Sequence, residues 1–129
     1  MKIGFTGTQH GMSLAQKQHL RRLLIELGAT ELHHGDCIGA DAEAHEMAKG
    51  LGLKIVVHPP DNDKKRAFVT HADEWRQPLP YLVRNREIVD STQFLVAAPL
   101  EDNMRVRSGT WATWRYARTR GRVTRILER

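Results

Sequence analysis

The chain has 129 residues, 40% of them hydrophobic and 27% charged, a make-up that predicts one domain over residues 1–129 with room for a buried core. No apolar run nears the roughly 20 residues that cross a bilayer, the start lacks a secretory pattern, and the lone Cys37 excludes an internal disulfide and a multi-cysteine zinc site. The formal net charge of +5 is confined to residues 101–129, where eight arginines face Glu101, Asp102 and Glu128, an excess that suits an anionic partner or a solvated helix face. No membrane partner is expected, and a reducing, cytoplasmic setting follows from the cysteine usage.

Residues 1–5 read as a strand entering the Thr/Gly loop "TGTQHG". Ser13 is placed to cap a helix whose Leu14, Leu20, Leu23, Leu24 and Leu27 form an apolar stripe, with Gly28 ending it. Residues 30–34 read as a second strand, and the following helix repeats an apolar face at Ala40, Ala44, Met47, Ala48 and Leu51. "LKIVVHPP" supplies a third strand, closed by prolines that cannot continue it. Residues 59–80 form the longest irregular connection, with four prolines and a short helix expected around 64–73. Residues 81–90 look helical, "TQFLVAA" is a buried strand, residues 108–119 form another helix, and "RVTRIL" is a final strand.

Strand and helix therefore alternate through five strands, which predicts an α/β fold: a mostly parallel sheet with helices on both faces. With the order 3-2-1-4-5 the sheet reverses between the first strand and the strand at 93–97. The loops 6–12, 34–39 and 98–108 converge there, where ligands of such sheets bind.

Those loops hold the candidate ligand-binding residues. Gly7 and Gly11 let the backbone turn close to a ligand, and Thr8 and Ser13 add hydroxyls. The spacing departs from the dinucleotide fingerprint, and no GKS or GKT triplet exists. Gly35 and Gly39 bracket Asp36, Cys37 and Ile38 ahead of a helix start whose N–H groups can face an anion. Asp36 and Asp41 are awkward beside phosphate unless they bind ribose hydroxyls, cap the helix or share a cation. Asp41 and His45 stand one helical turn apart and can pair. His33 and His34, adjacent on a strand, point to opposite faces and cannot easily share a metal; no metal or other cofactor is expected.

In "YLVRNREIVD", Arg84 and Arg86 flank Asn85, and a guanidinium fork grips phosphate with two parallel hydrogen bonds. Glu87 and Asp90 offer local salt bridges as the alternative. In "RSGTWATW", Ser108, Gly109 and Thr110 start a helix and can receive a phosphate. Trp111 and Trp114 share a face suited to packing.

Taken in order, "TGTQHGMS", "HGDCIGADAEAHEMA", "YLVRNREIVD" and "SGTWATWRYA" resemble the signature segments of the SLOG superfamily. This Rossmann-like group includes the "lonely guy" phosphoribohydrolases and the DNA-processing protein A family. The resemblance implies a nucleotide or nucleotide-derived ligand at the carboxyl ends of the strands, and a homo-oligomer, often a dimer. It implies Gly35, Gly39 and Asp41 near sugar and phosphate, Arg84 as the catalytic arginine, and Ser108, Gly109 and Thr110 as the phosphate-binding helix start. The phosphoribohydrolases follow Pro-Gly-Gly-x-Gly-Thr with a catalytic glutamate; here Thr113 and Trp114 stand where it would fall, and residues 103–127 hold no Asp or Glu. Asp36, Asp41 and Glu87 are the carboxylates that can replace it, while Arg84 and Arg86 hold phosphate. The expected function is nucleotide binding. N-glycosidic hydrolysis of a nucleoside 5′-monophosphate and binding of single-stranded nucleic acid are the alternatives.

Overall fold

The computed structural model of the chain describes residues 1–102 and 108–129. Six strands, β1 (Lys2–Gly7), β2 (Glu31–His34), β3 (Lys54–Val57), β4 (Glu74–Trp75), β5 (Phe94–Ala98) and β6 (Val123–Ile126), form one sheet in the order β4-β3-β2-β1-β5-β6. Every pairing is parallel. The expected order of five strands is present, with the two-residue β4 added at one edge.

Burial explains the central strands. All five residues of β5, "FLVAA", are buried, as a strand covered on both faces requires. Alternation sorts them: Phe94, Val96 and Ala98 join the core beneath α1 (Leu14–Glu26) and α2 (Ala40–Gly50), while Leu95 packs with Ile88, Val89 and Ala117 of α3 (Tyr81–Asp90) and α4 (Gly109–Thr119). The architecture is thus a Rossmann-like α/β sandwich, with two helices on each side among the described residues.

The Ser13 hydroxyl accepts from Gln16 N–H at 3.1 Å and the Gln16 side chain accepts from Ser13 N–H at 2.9 Å, a capping box worth about 1 kcal/mol. Leu14 leaves the expected stripe: it is 71% exposed because it lies about 130° around the helix from the other leucines at 100° per residue. No helix among the described residues is long and apolar enough to cross a membrane.

The helix expected around 64–73 is absent. A single 3₁₀ turn, Asp63–Lys65, takes its place. Phe68 and His71 adopt φ of 55° and 63°, which a right-handed helix forbids. The N–H groups of Ala67 and Val69 instead donate to the backbone oxygen and carboxylate of Asp36, at 2.8 and 3.0 Å. The connection is a strap pinned to the β2–α2 turn by hydrogen bonds that a helix would have consumed.

Candidate functional site

A crevice of about 320 Å³ opens at the carboxyl ends of β1, β2 and β5, where the strand order reverses. Gly7 and Thr8 enter it from β1, Gly35 and Cys37 from the turn after β2, and Asp41 from α2. Tyr81, Arg84 and Asn85 of α3 form a further wall, and Ser108, Gly109, Thr110 and Trp111 at the start of α4 face it. Thr8 N–H donates to Ala98 O at 3.0 Å, and Thr8 O accepts from Ala40 N–H at 3.0 Å. The first loop is therefore tied to both of its neighbours.

Two glycines permit this convergence. Gly39 precedes α2 with φ +86°, and a Cβ there would lie 2.3 Å from Gln9 O, so only glycine lets the two loops meet. At Gly35 a Cβ would lie 2.6 Å from Arg84 Cζ.

Arg84 is only 3% exposed and acts as a cross-brace. Its Nη1 donates to Gly35 O and, at 3.2 Å, to His58 O; its Nε donates to Asn85 Oδ1 at 2.7 Å; and Nη2 lies 3.6 Å from Cys37 Sγ. No carboxylate forms an ion pair with it among the described residues. Its charge is spread over carbonyl dipoles and reaches the crevice, where it acts on the Asp41 carboxyl.

Asp41 is 5% exposed. Oδ2 accepts from Gly35 N–H at 3.1 Å and Cys37 N–H at 3.2 Å, while Oδ1 has no hydrogen-bond partner among the described residues. Burial raises its pKa to about 6, against the opposing pull of Arg84 and the two backbone donors. Burial likewise pushes the Cys37 thiol up, aided by Asp41 and opposed by Arg84. The thiol is thus kept from the reactive thiolate form.

The other candidate residues lie elsewhere. Asp36, at φ 55°, is fully buried against Arg66 Nε at 2.7 Å and Val69 N–H, so it holds the strap. Glu87 is outside the crevice, 2.9 Å from His58 Nδ1 and 3.6 Å from Arg76 Nη1. Arg86 stacks over Tyr116 at 5.2 Å and borders a separate shallow depression. Gly11 faces the Glu43 carboxylate, and Ser13 is occupied as a cap. Residues 103–107 of the expected 98–108 loop, with two of the C-terminal arginines, lie outside the described residues.

The helical pairing of Asp41 with His45 does not form. His45 Nδ1 instead meets His34 Nε2 at 2.9 Å, and His45 Nε2 meets Thr70 O at 2.7 Å. On the opposite sheet face His33 lies between Glu31 and His58, each at 2.8 Å, so the two adjacent histidines do diverge. Burial, then neighbouring His45, holds His34 well below the ordinary range, and burial, then His33, lowers His58 to about 3. Among the described residues no group of three or more His, Cys, Asp or Glu is arranged to hold a metal.

Gln9, Cys37 and Tyr81 were not foreseen as wall residues, and Trp111 was assigned to packing in preference to base stacking. Trp111 is indeed 3% exposed and meets Trp114 edge-on at 5.5 Å, yet its indole Nε1 has no hydrogen-bond partner among the described residues and the residue lines the crevice. A second cavity of about 330 Å³ shares the Gly7, Gln9, Cys37 and Tyr81 walls and is bordered beyond them by Asn62, Lys64 and Lys65. The strap fixes that border, with Ile38 N–H donating to Lys65 O at 2.9 Å.

No protein-family model matches the chain, and no curated protein matches it. Solved structures do. The molybdenum cofactor binding protein from the phototrophic bacterium Rippkaea orientalis superposes with a TM-score of 0.72 at 18% identity, over 97% of this chain and 74% of that one. The structural-genomics target TM1055 gives 0.68 at 15% identity, over 95% of this chain and 71% of that one. DNA processing protein A from Streptococcus pneumoniae gives 0.67 at 20% identity, over 97% of this chain but only 49% of that one. At these identities the likeness is one of fold. It shows a fold shared with a molybdenum cofactor binding protein and a DNA processing protein.

Proposed function

We propose that the protein binds a nucleotide or nucleotide-derived small molecule in the crevice at the carboxyl edge of the sheet, with phosphate at the start of α4 and the sugar toward Asp41. The observation that carries this reading is the meeting of three features at the strand-order reversal. They are the Thr8 loop, the helix start at Ser108, Gly109 and Thr110, and the buried Arg84, which forms no ion pair with a carboxylate among the described residues. The first N–H groups of α4 have no acceptor within the helix, and its dipole favours negative charge there. The fold shared with a molybdenum cofactor binding protein and a DNA processing protein agrees with a ligand of this kind. Calorimetric titration with ribonucleoside 5′-monophosphates and the matching nucleosides tests it. The expected result is dissociation constants of about 1–100 µM for at least one monophosphate and at least about tenfold weaker binding of its nucleoside. No binding by any monophosphate overturns the reading.

The Asp41 carboxyl, titrating at about 6 inside the crevice, favours a second reading, hydrolysis of the N-glycosidic bond of a nucleoside 5′-monophosphate. Asp41 would stabilise positive charge on the sugar as the base departs with the bonding electron pair. Water then adds to the sugar, and its proton goes to the base. The products are free base and ribose 5-phosphate; only intact nucleotide after long incubation rules this reaction out and leaves binding.

A further inference from the structure

Among the described residues two buried side-chain atoms lack any hydrogen-bond partner, Asp41 Oδ1 and Trp111 Nε1. Both residues line the same crevice. Elsewhere burial is matched by partners: the fully buried Gln16 amide, for example, donates to Pro99 O and Leu127 O, each at 2.9 Å. An unpaired buried acceptor or donor costs about 1–3 kcal/mol, and the two occur on residues that line one cavity, which favours a ligand that satisfies them.

Neither atom is free to turn away. The two backbone donors on Oδ2, from Gly35 and Cys37, hold that oxygen and so limit where Oδ1 can turn. The Trp111 indole is held by burial and by its edge-on contact with Trp114, at an interplanar angle of 82°. The chemistry of the two atoms is opposite. Oδ1 only accepts while ionised and repels an anion, whereas the indole N–H only donates. Trp111 also belongs to the first turn of α4, the end at which negative charge is favoured.

We infer that these two atoms set the polarity of the bound ligand: a neutral O–H or N–H donor of its sugar or base is read by Asp41 Oδ1, and an acceptor oxygen at its phosphate end by Trp111 Nε1. This inference rests on the proposed nucleotide binding and deepens it, assigning Asp41 and Trp111 as the residues that determine specificity. Asparagine at 41 inverts the first contact. Its carbonyl must replace Oδ2 to keep both backbone bonds, which leaves its NH₂ facing the ligand's donor.

The test is calorimetric titration of wild type, Asp41→Asn and Trp111→Phe with the four ribonucleoside 5′-monophosphates, their 2′-deoxy counterparts, and inosine 5′-monophosphate as a purine without an amine. Circular dichroism verifies that each variant is folded. Asp41→Asn is expected to bind the preferred nucleotide at least about tenfold more weakly, and any preference of wild type for ribose over deoxyribose, or for an amino over an oxo purine, disappears. Loss of the first preference assigns the donor to the sugar, and loss of the second assigns it to the base. Trp111→Phe is expected to weaken monophosphates about fivefold or more while leaving nucleosides nearly unchanged. Amide and indole NMR of wild type supplies a readout that does not depend on either variant: the Trp111 indole N–H resonance moves downfield on saturation with the preferred monophosphate. Wild-type affinities in both variants, or an unmoved indole resonance at saturation, overturn the inference while the binding proposal stands. Failure of wild type to bind any monophosphate overturns both.

Discussion

Gly35 lies directly beneath the guanidinium of Arg84: its carbonyl accepts from Nη1, and a Cβ at this position would stand 2.6 Å from Cζ. The β2–α2 turn and helix α3 are thus joined through one glycine and one arginine. Gly35→Ala is expected to cost about 1–3 kcal/mol by overpacking. Arg84→Met strands the Gly35 and His58 carbonyls and is expected to cost at least about 2 kcal/mol. Urea denaturation measures both, and a change below about 0.5 kcal/mol in either would contradict this role.

Asp41 carries a pH signature of its own. Its folded pKa of about 6 stands above the ordinary 3.8, so the native state holds the proton more tightly than the unfolded chain. Its contribution is most favourable below about pH 4, declines as pH rises to about 6, and remains unfavourable above. Asp41→Asn keeps both backbone hydrogen bonds and removes the charge. Its stability relative to wild type should therefore rise between about pH 4 and pH 7, by on the order of 1–3 kcal/mol. Denaturation curves at intervals across that range check it, and a difference independent of pH would contradict it.

The His34 and His45 rings form a chain whose direction is fixed at one end. Asp36 N–H donates to His34 Nδ1 at 3.0 Å, so neutral His34 carries its proton on Nε2 and donates to His45 Nδ1. His45 then donates through Nε2 to Thr70 O, joining the Asp36 turn to the strap. Because the folded pKa of His34 is depressed, this contribution is fully present above the unfolded value of about 6.5 and fades as pH falls below it. Two-dimensional ¹⁵N spectra of the imidazoles at about pH 7 should show both rings as the Nε2–H form. An Nδ1–H signal from either would break the chain as described.

Lys64 and Lys65 border the second cavity without an ion pair among the described residues. With the 5′-phosphate at the start of α4 and the sugar toward Asp41, a second phosphate on the 3′ side of the sugar would face them across the shared Cys37 and Tyr81 wall. The double substitution to alanine should weaken nucleoside 3′,5′-bisphosphates about three- to tenfold and 5′-monophosphates less than twofold. Equal losses for both by calorimetry would contradict this placement.

The sheet order was legible because the strands announce themselves by apolar content and punctuation: "FLVAA" is buried throughout, and Pro59 and Pro60 close β3. The convergence of Gly7, Gly35 and Ser108 followed from topology alone. The partners of individual side chains did not. Nothing in the spacing of Asp41 and His45 reveals that His34, from an adjacent strand, captures the imidazole first. Asp36 reads as a loop carboxylate until the strap, whose positive φ at Phe68 and His71 carries no glycine signal, folds over it. Trp111 was hidden in the same way, since a helical tryptophan signals packing and its unpaired N–H emerges only when the surrounding walls are in place.

If one crevice at the β1/β5 reversal takes the ligand, titration of ¹⁵N-labelled protein with ribonucleoside 5′-monophosphates will show it in amide and indole spectra. Shifts are expected to concentrate at Thr8, Gly35, Asp41, Gly109, Thr110 and the Trp111 indole. Shifts confined to the arginines of the last twenty residues, or none at millimolar nucleotide, would contradict it.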